Sequence, residues 1–436
     1  MGVLQARVLE LAAIQNAPAW LSDLRYQGGE RFAAASWPTR RTENWKYTSL
    51  AALAKKDVAA AHAESVEFND LAMIDADAYR LVFINGVFSE KHSDALPPQV
   101  TTFAAASEEQ ITVVQRHLGR LADSSEHLFA ALSQSVLEQG VLIHVAAGQC
   151  LDKPIYLLNY SAGKQACLAS TRNLVVLEEG AQAEVFEQFN SDGDEQSNLV
   201  ASQTEVVIGN NAKFKHYRLN LEREGITHAG GVFVELGRDA LYSGFALTKG
   251  AVLIRNDYVL THRGSGAHVE LNGVYLPRGK QVVDYHTNIQ HCVPHCTSSE
   301  VFRGIIGDQA KAVFNGRIHI HQDAQKTLAE LSNKNLLTSN KAEVDTKPEL
   351  EIYADDVRCA HGATVAQLND ESLYYLQSRG IDREQAQIMM SFGFINELIQ
   401  SVENSDVVEF LMPILADQFG RKESLLQMEA DALESL

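Results

Sequence analysis

The sequence predicts a mainly β protein, in which a stacked β-solenoid lies between α-helical segments at the two ends of the chain. No proline occurs between Pro154 and Pro277, and this stretch is rich in β-branched and aromatic residues. That composition favours central strands, because proline cannot donate to a ladder. A six-residue form, Gly-x-x-Ala-x-apolar, recurs in and after the stretch. Near both chain ends, apolar residues instead follow the helical period of about 3.6.

The repeat is the strongest argument for stacking. Its copies begin at Gly180, Gly209, Gly237, Gly264, Gly279 and Gly307. The first four starts are 29, 28 and 27 residues apart, and the weaker copy at Gly279 is half a turn out of phase with Gly264. Glycine is expected to permit a corner with positive φ, and the small alanine is expected to face inward. Units this short cannot bury their own apolar face, which favours a β-helix; an antiparallel sandwich is the alternative.

Three regions follow from these patterns. They are residues 1–137, a helical region with a β-hairpin; 138–364, the parallel β-helix core; and 365–436, a C-terminal helical domain. The hairpin is predicted at 80–90, where two apolar runs flank Asn85-Gly86, a pair typical of type I′ turns.

The C-terminal helices have clear boundaries. One helix spans about 371–379 and ends at Gly380, and Asp382 begins the next as its N-cap. The second helix has a narrow apolar seam with spacings of 4, 3, 4 and 3, formed by Ile388, Phe392, Ile395, Ile399 and Val402. Two interpretations remain open: the helices pack on their own domain, or they form an exposed docking module for another subunit.

Composition restricts the function. The 436 residues include 37 Lys and Arg against 56 Asp and Glu, a net charge of −19, which disfavours nucleic acid and anionic membranes as partners. The five cysteines are an odd number and do not form a disulfide framework. The N-terminal residues lack the uninterrupted apolar core of a signal peptide. We therefore expect a cytoplasmic protein.

Common catalytic motifs are missing or incomplete. Gly273 and Gly279 are one residue too far apart for a phosphate-binding loop, and Gln281 stands where Ser or Thr would bind magnesium. The sequence contains no Gly-x-Ser-x-Gly and no His-Glu-x-x-His segment. Any ATP used with this protein should therefore be bound by another chain.

One segment rich in histidine and cysteine is a candidate metal site. His291, Cys292, His295 and Cys296 are ligand types that suit zinc or iron. However, Pro294 prevents a common helical face and favours an extended residue before it. We expect an ordinary loop between strands and disfavour metal binding there.

Two further pairs lie later in the chain. His319 and His321 alternate with isoleucine and should share one strand face, most simply a solvent face. Cys359 and His361 are also two residues apart, so their side chains emerge together in an extended segment. From the residues alone, this pair is either a soft-metal or nucleophilic site or a structural edge-strand pair.

Several long segments resemble the SufB/SufD family of scaffold proteins in the SUF iron–sulfur cluster assembly system. These segments are residues 43–48 (Glu-Asn-Trp-Lys-Tyr-Thr), 313–318, 324–327, 333–337, 342–364 and 374–381. The resemblance is closer to SufD members. SufB members would have a Cys-Asp-Ser segment near 335–339, where this chain has Asn-Leu-Leu-Thr-Ser, and glutamate in place of Cys359.

The resemblance implies a right-handed parallel β-helix that pairs with the β-helix of SufB, and C-terminal helices that bind the ATPase SufC. It implies cluster assembly at the SufB interface by His361, with Cys359 beside it, and makes both candidate metal ligands. The chain itself would be a non-catalytic scaffold that assists iron acquisition and binds no stable cofactor. Iron or a cluster would be held transiently in the complex, ATP would be bound by SufC, and the isolated chain could form a homodimer.

A different class of function stays open beside the scaffold. β-Helical enzymes that act on polysaccharides need two carboxylates in one groove, and Asp355-Asp356 is the only tempting pair. Consecutive strand residues point to opposite faces, which weakens this interpretation.

Overall fold

The computed structural model describes residues 2–14, 17–67, 72–193 and 197–419. Its centre is a β-solenoid of about eight turns with helices towards both ends of the chain, which confirms the predicted fold class. The antiparallel sandwich is wrong, because successive coils pair in parallel. The region boundaries predicted at 137/138 and 364/365 stay predictions, although the sheet pairing begins earlier, at Tyr79, and extends to Gln367.

Two long sheets form the walls of the solenoid. The strands are β1 (Tyr79–Ile84), β2 (Val87–Phe88), β3 (Val100–Thr102), β4 (Gln139–Val145), β5 (Ile155–Ser161), β6 (Leu168–Ala169), β7 (Thr171–Leu177), β8 (Gln182–Ser191), β9 (Leu199–Val200), β10 (Gln203–Ile208), β11 (Lys213–Asn220), β12 (Thr227–Leu236), β13 (Leu241–Thr248), β14 (Leu253–His262), β15 (His268–Tyr275), β16 (Val282–His291), β17 (Thr297–Ile306), β18 (Lys311–Ile320), β19 (Leu328–Leu337), β20 (Glu343–Ile352) and β21 (Arg358–Gln367). Sheet 1 has the order β2-β1-β5-β8-β11-β13-β15-β17-β19-β21. Sheet 2 has the order β20-β18-β16-β14-β12-β10-β7-β4-β3, with β9 paired to β12 and to β6.

Register explains the packing inside the solenoid. Residues paired on successive strands form columns across the coils, and every second residue of a strand faces inward. One interior column of sheet 2, for example, consists of Val175, Val206, Val234, Leu260 and Ile289, all buried. Stacked apolar columns of this kind provide the core that a single coil cannot supply.

The repeat marks the corners, but only Gly180 (φ 70°) and Gly279 (φ 60°) among its glycines have the predicted positive φ. Gly209, Gly237 and Gly264 do not have positive φ; that conformation falls on the residue before the corner alanine, such as Asn211 (φ 55°) and Asp239 (φ 55°). These three glycines are instead required by close approach between coils. A Cβ on Gly264 would lie 1.9 Å from a backbone nitrogen of the previous coil.

The first copy of the repeat lies two residues away from its predicted position. The strand register pairs Gln182 with Lys213, which places Ala181, not Ala183, in the column of the corner alanines. The first copy therefore begins two residues before Gly180. The half-turn offset of Gly279 is correct, because Gly279 and Gly307 precede β16 and β18 of sheet 2.

The N-terminal region packs against the solenoid. Its helices are α1 (Val3–Ile14), α2 (Ser22–Ala34), α3 (Glu108–His117) and α4 (Leu128–Ser135). The predicted hairpin forms at Asn85-Gly86, and its first strand pairs in parallel with β5. The segment 43–48 is fastened to the outer face of sheet 2: Thr48 donates to Asp284 at 2.5 Å, and Arg255 donates to the Asn44 carbonyl at 3.0 Å.

The C-terminal helices cover the outer face of sheet 1. They are α5 (Asp370–Ser378), α6 (Arg383–Gln400) and α7 (Ser405–Phe419), and residues 420–436 of the predicted helical domain lie outside the described residues. As predicted, Gly380 follows α5 with φ 89°, and the Asp382 side chain caps α6. The seam of α6 is buried in one cluster with Leu247, Val274 and other outward residues of sheet 1. The helices therefore pack on their own solenoid, and the seam is not available to a partner.

Candidate functional site

Within the described part of the chain, no further strand covers the last coil of the solenoid. Among the described strands, β20 pairs only with β18, and β21 pairs only with β19, so each sheet ends in a free edge. Most of β21 is solvent-exposed, and β20 is half-buried along most of its length. The exposed apolar residues Ile352 and Val365 lie on these strands. A pair of free parallel edges with apolar side chains is a surface suited to another sheet.

Cys359 and His361 both lie on β21, at this open end. They alternate with Ala360 and, in register, stand over Ala329 and Leu331, two buried interior residues of the preceding coil. Their side chains therefore face the mouth of the solenoid, which confirms that the two share one strand face. Cys359 is half-buried against the core, and burial raises the pKa of its thiol, while His361 is exposed.

Below His361 the interior contains an unusual acid. Glu300 lies in the same column, one coil beneath Leu331, and is 1% exposed. Neither of its carboxylate oxygens forms a hydrogen bond of good geometry with a described group, although the Thr287 hydroxyl lies beside it. Burial raises the pKa of Glu300 to about 8, so this side chain is largely neutral at pH 7.

The histidine- and cysteine-rich segment holds its four residues in separate surroundings. His291 is buried and stacks on His262 with ring centroids 4.2 Å apart, and its Nε2 lies 3.0 Å from the Ser298 hydroxyl. Cys296 is buried with its Sγ 3.4 Å from the Gly264 carbonyl oxygen. Cys292 lies beside Arg263, and His295 is exposed with φ 63°. Metal binding by this segment remains disfavoured.

The solenoid corner explains the composition of that segment. Register aligns Cys296 with Ala267, the corner alanine of the previous coil, and places His295 where Gly266 has positive φ. Cys296 thus serves as a small buried apolar residue. Aligning residues 293–296 with 264–267 in the sequence would have revealed this equivalence.

The remaining candidates occupy the surface. His319 on β18 and His321, which directly follows the strand, lie on one side of the chain as predicted, and their rings stack at 4.2 Å; both are half-buried and not fully solvent-exposed. Asp356, of the Asp355-Asp356 pair, is exposed and forms an ion pair with Lys326. Over the ranges that the structure describes, no group of three or more His, Cys, Asp or Glu side chains is arranged to hold a metal.

A buried charge network was missed by the sequence analysis. Arg218 donates to Glu187 at 2.5 Å inside the solenoid, and His216 lies 3.1 Å from the same carboxylate. Burial opposes ionisation of Glu187, but Arg218 and His216 outweigh it and lower the pKa of Glu187 to about 2. Arg218 and Glu187 are 31 residues apart and paired in register. Opposite charges separated by about one coil of the repeat could therefore have predicted this ion pair from the sequence.

Fold and site together define a class of protein: a parallel β-solenoid that ends in an open coil with a thiol and an imidazole at its mouth. Two family models match the chain, the SufBD protein N-terminal region over residues 10–157 and the SufBD core domain of SUF iron–sulfur cluster assembly over 158–394. The chain belongs to the SufB/SufD family of iron–sulfur cluster assembly proteins.

Similar proteins occur in several bacteria. Iron–sulfur cluster assembly protein SufD of Escherichia coli is 32% identical over 371 residues, which cover 84% of this chain and 86% of the relative. A SufBD family protein of Synechocystis is 30% identical over 386 residues, 84% of each chain. SufD of Bacillus subtilis is 24% identical over 91% of this chain and 94% of its own length.

Across the described residues, no helix has the length and hydrophobicity needed to span a bilayer.

Proposed function

We propose that this chain is a non-catalytic scaffold subunit that assembles iron–sulfur clusters together with a SufB-type paralogue and the SufC ATPase. It also assists iron acquisition, and the finished cluster passes to apo-proteins. Iron and the nascent cluster are transient cargo, and ATP is bound by SufC. The complex acts in the cytoplasm without nucleic acid or membrane.

The single observation that carries this proposal is the uncovered last coil, with Cys359 and His361 at its mouth. Free edges on β20 and β21 can each accept a strand from a second solenoid, which would continue both sheets across the interface. The paralogue would then close the mouth and enclose His361. In its absence the same edges offer a surface for a homodimer.

Cluster assembly should depend on His361. Because its side chain is exposed and forms no part of the core, His361→Ala should fold, bind SufB and SufC, and lose at least about tenfold in the rate of cluster assembly. Co-purification of the three chains measures the complex, and transfer to an apo-ferredoxin measures assembly.

A histidine elsewhere on the solenoid provides the control. His295→Asn removes an exposed imidazole from a corner two coils below β21 and keeps a residue type that tolerates φ 63°. Unchanged assembly by His361→Ala would refute the role of His361, and loss of the complex would show that the residue is structural. Failure of the wild-type chain to bind either partner would refute the scaffold function itself.

The SufC-binding surface should include α5 and exclude the buried seam of α6. Tyr374 and Tyr375 are 74% and 57% exposed on α5, while Leu373 anchors this helix and is buried. Adjacent exposed aromatic residues are typical of the central contacts of an interface. Deleting the helices would uncover the outer face of sheet 1, so point variants test this surface more cleanly.

We expect the double variant Tyr374→Ser with Tyr375→Ser to weaken SufC binding at least about tenfold. Truncation of a tyrosine at the centre of an interface often costs about 2 kcal/mol of binding free energy. Its thermal stability and SufB binding should be unchanged. Tyr26→Ser, at a tyrosine 69% exposed on α2, is the matched control. Equal SufC affinity in the double variant and the control would exclude α5 from the interface.

A further inference from the structure

A second cleft lies on the outer face of sheet 2, away from the mouth of the solenoid. It forms where residues 46–49 cross the strands β14, β16 and β18, and it has a volume of about 590 Å³. We call it the basic cleft, and define it by Arg40, Lys46, Tyr47, Val252, Lys280 and Lys311. A volume of this size accommodates a small molecule and is too small for a folded partner.

Charge distinguishes this cleft from the rest of the protein. Its lining includes four cationic side chains and two acidic ones, Glu343 and Asp345, and Lys311 forms ion pairs with both acids at 2.6 Å. Arg40, Lys46 and Lys280 form no ion pair within the described part of the chain. Arg40 is attracted by Glu343 and Lys46 by Glu43, but four cations against two acids in the lining still leave a surplus of positive charge. In a protein with a net charge of −19, this surplus creates a local site for anions.

Two of the four cations lie over an aromatic side chain. The Lys46 Nζ lies 5.2 Å from the centroid of the Tyr47 ring, and the Lys311 Nζ lies 5.9 Å from it. Both contacts are within the range of cation–π attraction. The neighbouring Thr48 is buried and hydrogen-bonded to Asp284, so the segment that presents Lys46 and Tyr47 is fixed to sheet 2.

The floor of the cleft is apolar. Val252 is 45% exposed, and Leu253 and Val282 beside it are half-buried. Inorganic anions alone would gain nothing from such a floor. A ligand with both a charged and an organic part would use both features.

We propose that the basic cleft binds a phosphorylated small molecule. Its phosphate oxygens accept hydrogen bonds from Lys46, Lys280 and Arg40, and its organic part lies on Val252. This site is separate from Cys359 and His361, and the proposal does not depend on the scaffold function.

Calorimetry on the isolated full-length chain, with ADP and pyrophosphate as probes, tests the proposal. The SufC ATPase must be absent because it would bind ADP itself. We expect one ADP site whose affinity falls as salt is added, and at least a tenfold loss in the double variant Lys46→Glu with Lys280→Glu. The control, Lys91→Glu with Lys213→Glu, changes the net charge equally at two exposed lysines outside the cleft.

A further variant tests the floor. Val252→Asn should weaken ADP about threefold and leave pyrophosphate unchanged, because only ADP has an organic part. Absence of binding by both probes, or equal losses in the cleft and control variants, would overturn the site. Equal affinity for both probes, with no effect of Val252→Asn, would overturn the assignment to an organic ligand.

Discussion

Arg218→Met is expected to destabilise the solenoid by about 3–5 kcal/mol, because it leaves the buried carboxylate of Glu187 without its main counter-ion. Arg218 and Glu187 are each at most 1% exposed. The arginine also lies 4.5 Å from the Phe189 ring centroid and donates towards His228 at 3.2 Å, so its loss disturbs several interior contacts. The midpoint and slope of urea unfolding measure the change.

A paired substitution identifies the cause. Glu187→Gln combined with Arg218→Met removes the buried charge together with its partner, and a neutral replacement of a buried ion pair is often tolerated. We expect the double variant to recover most of the lost stability. A single variant within about 1 kcal/mol of the wild type, or a double variant as unstable as the single one, would contradict this account.

The repeat predicted the solenoid because stacked coils impose the same small set of corner residues on each turn. It could not reveal why those glycines are required. The clash that excludes a Cβ at Gly264 comes from the backbone of the preceding coil, at Arg238. Such a contact between coils cannot be predicted from the sequence until the register of the strands is known. Positive φ was therefore assigned to Gly209 when it belongs to Asn211.

The candidate site was predictable in part. Alternation alone placed Cys359 and His361 on one face, but whether that face meets the core, solvent or a partner depends on where the stacking stops. The seam of α6 shows the same limit: Ile395 and Ile399 look equally suited to a partner helix and to a sheet. Only the outward residues of sheet 1, contributed by several distant coils, decide between them.

Glu300 should make the protein less stable as the pH rises from about 4.5 to 8. The pKa of this carboxyl is about 8 in the folded state against an ordinary value of 4.5, because burial disfavours its charged form. Below pH 4.5 the group is protonated in both states and costs nothing by ionisation. Above it, the unfolded chain releases the proton while the folded chain retains it, so unfolding becomes progressively easier.

Glu300→Gln removes this titration and tests its size. A carboxyl pKa of about 8 in the folded state against 4.5 in the unfolded chain corresponds to a loss of about 5 kcal/mol as an upper bound, reached near pH 8. The variant should therefore gain stability relative to the wild type by several kcal/mol between pH 5 and 8, with the two proteins closest in acid. Glu330→Gln, at an exposed outward position of β19, should leave the pH profile unchanged.

Thermal unfolding of the three proteins between pH 4 and pH 8, roughly, measures these profiles. Parallel profiles for the Glu300 variant and the wild type would mean that the charged carboxylate is stabilised in solution, most simply by a direct hydrogen bond from the neighbouring Thr287 hydroxyl, which lowers its pKa.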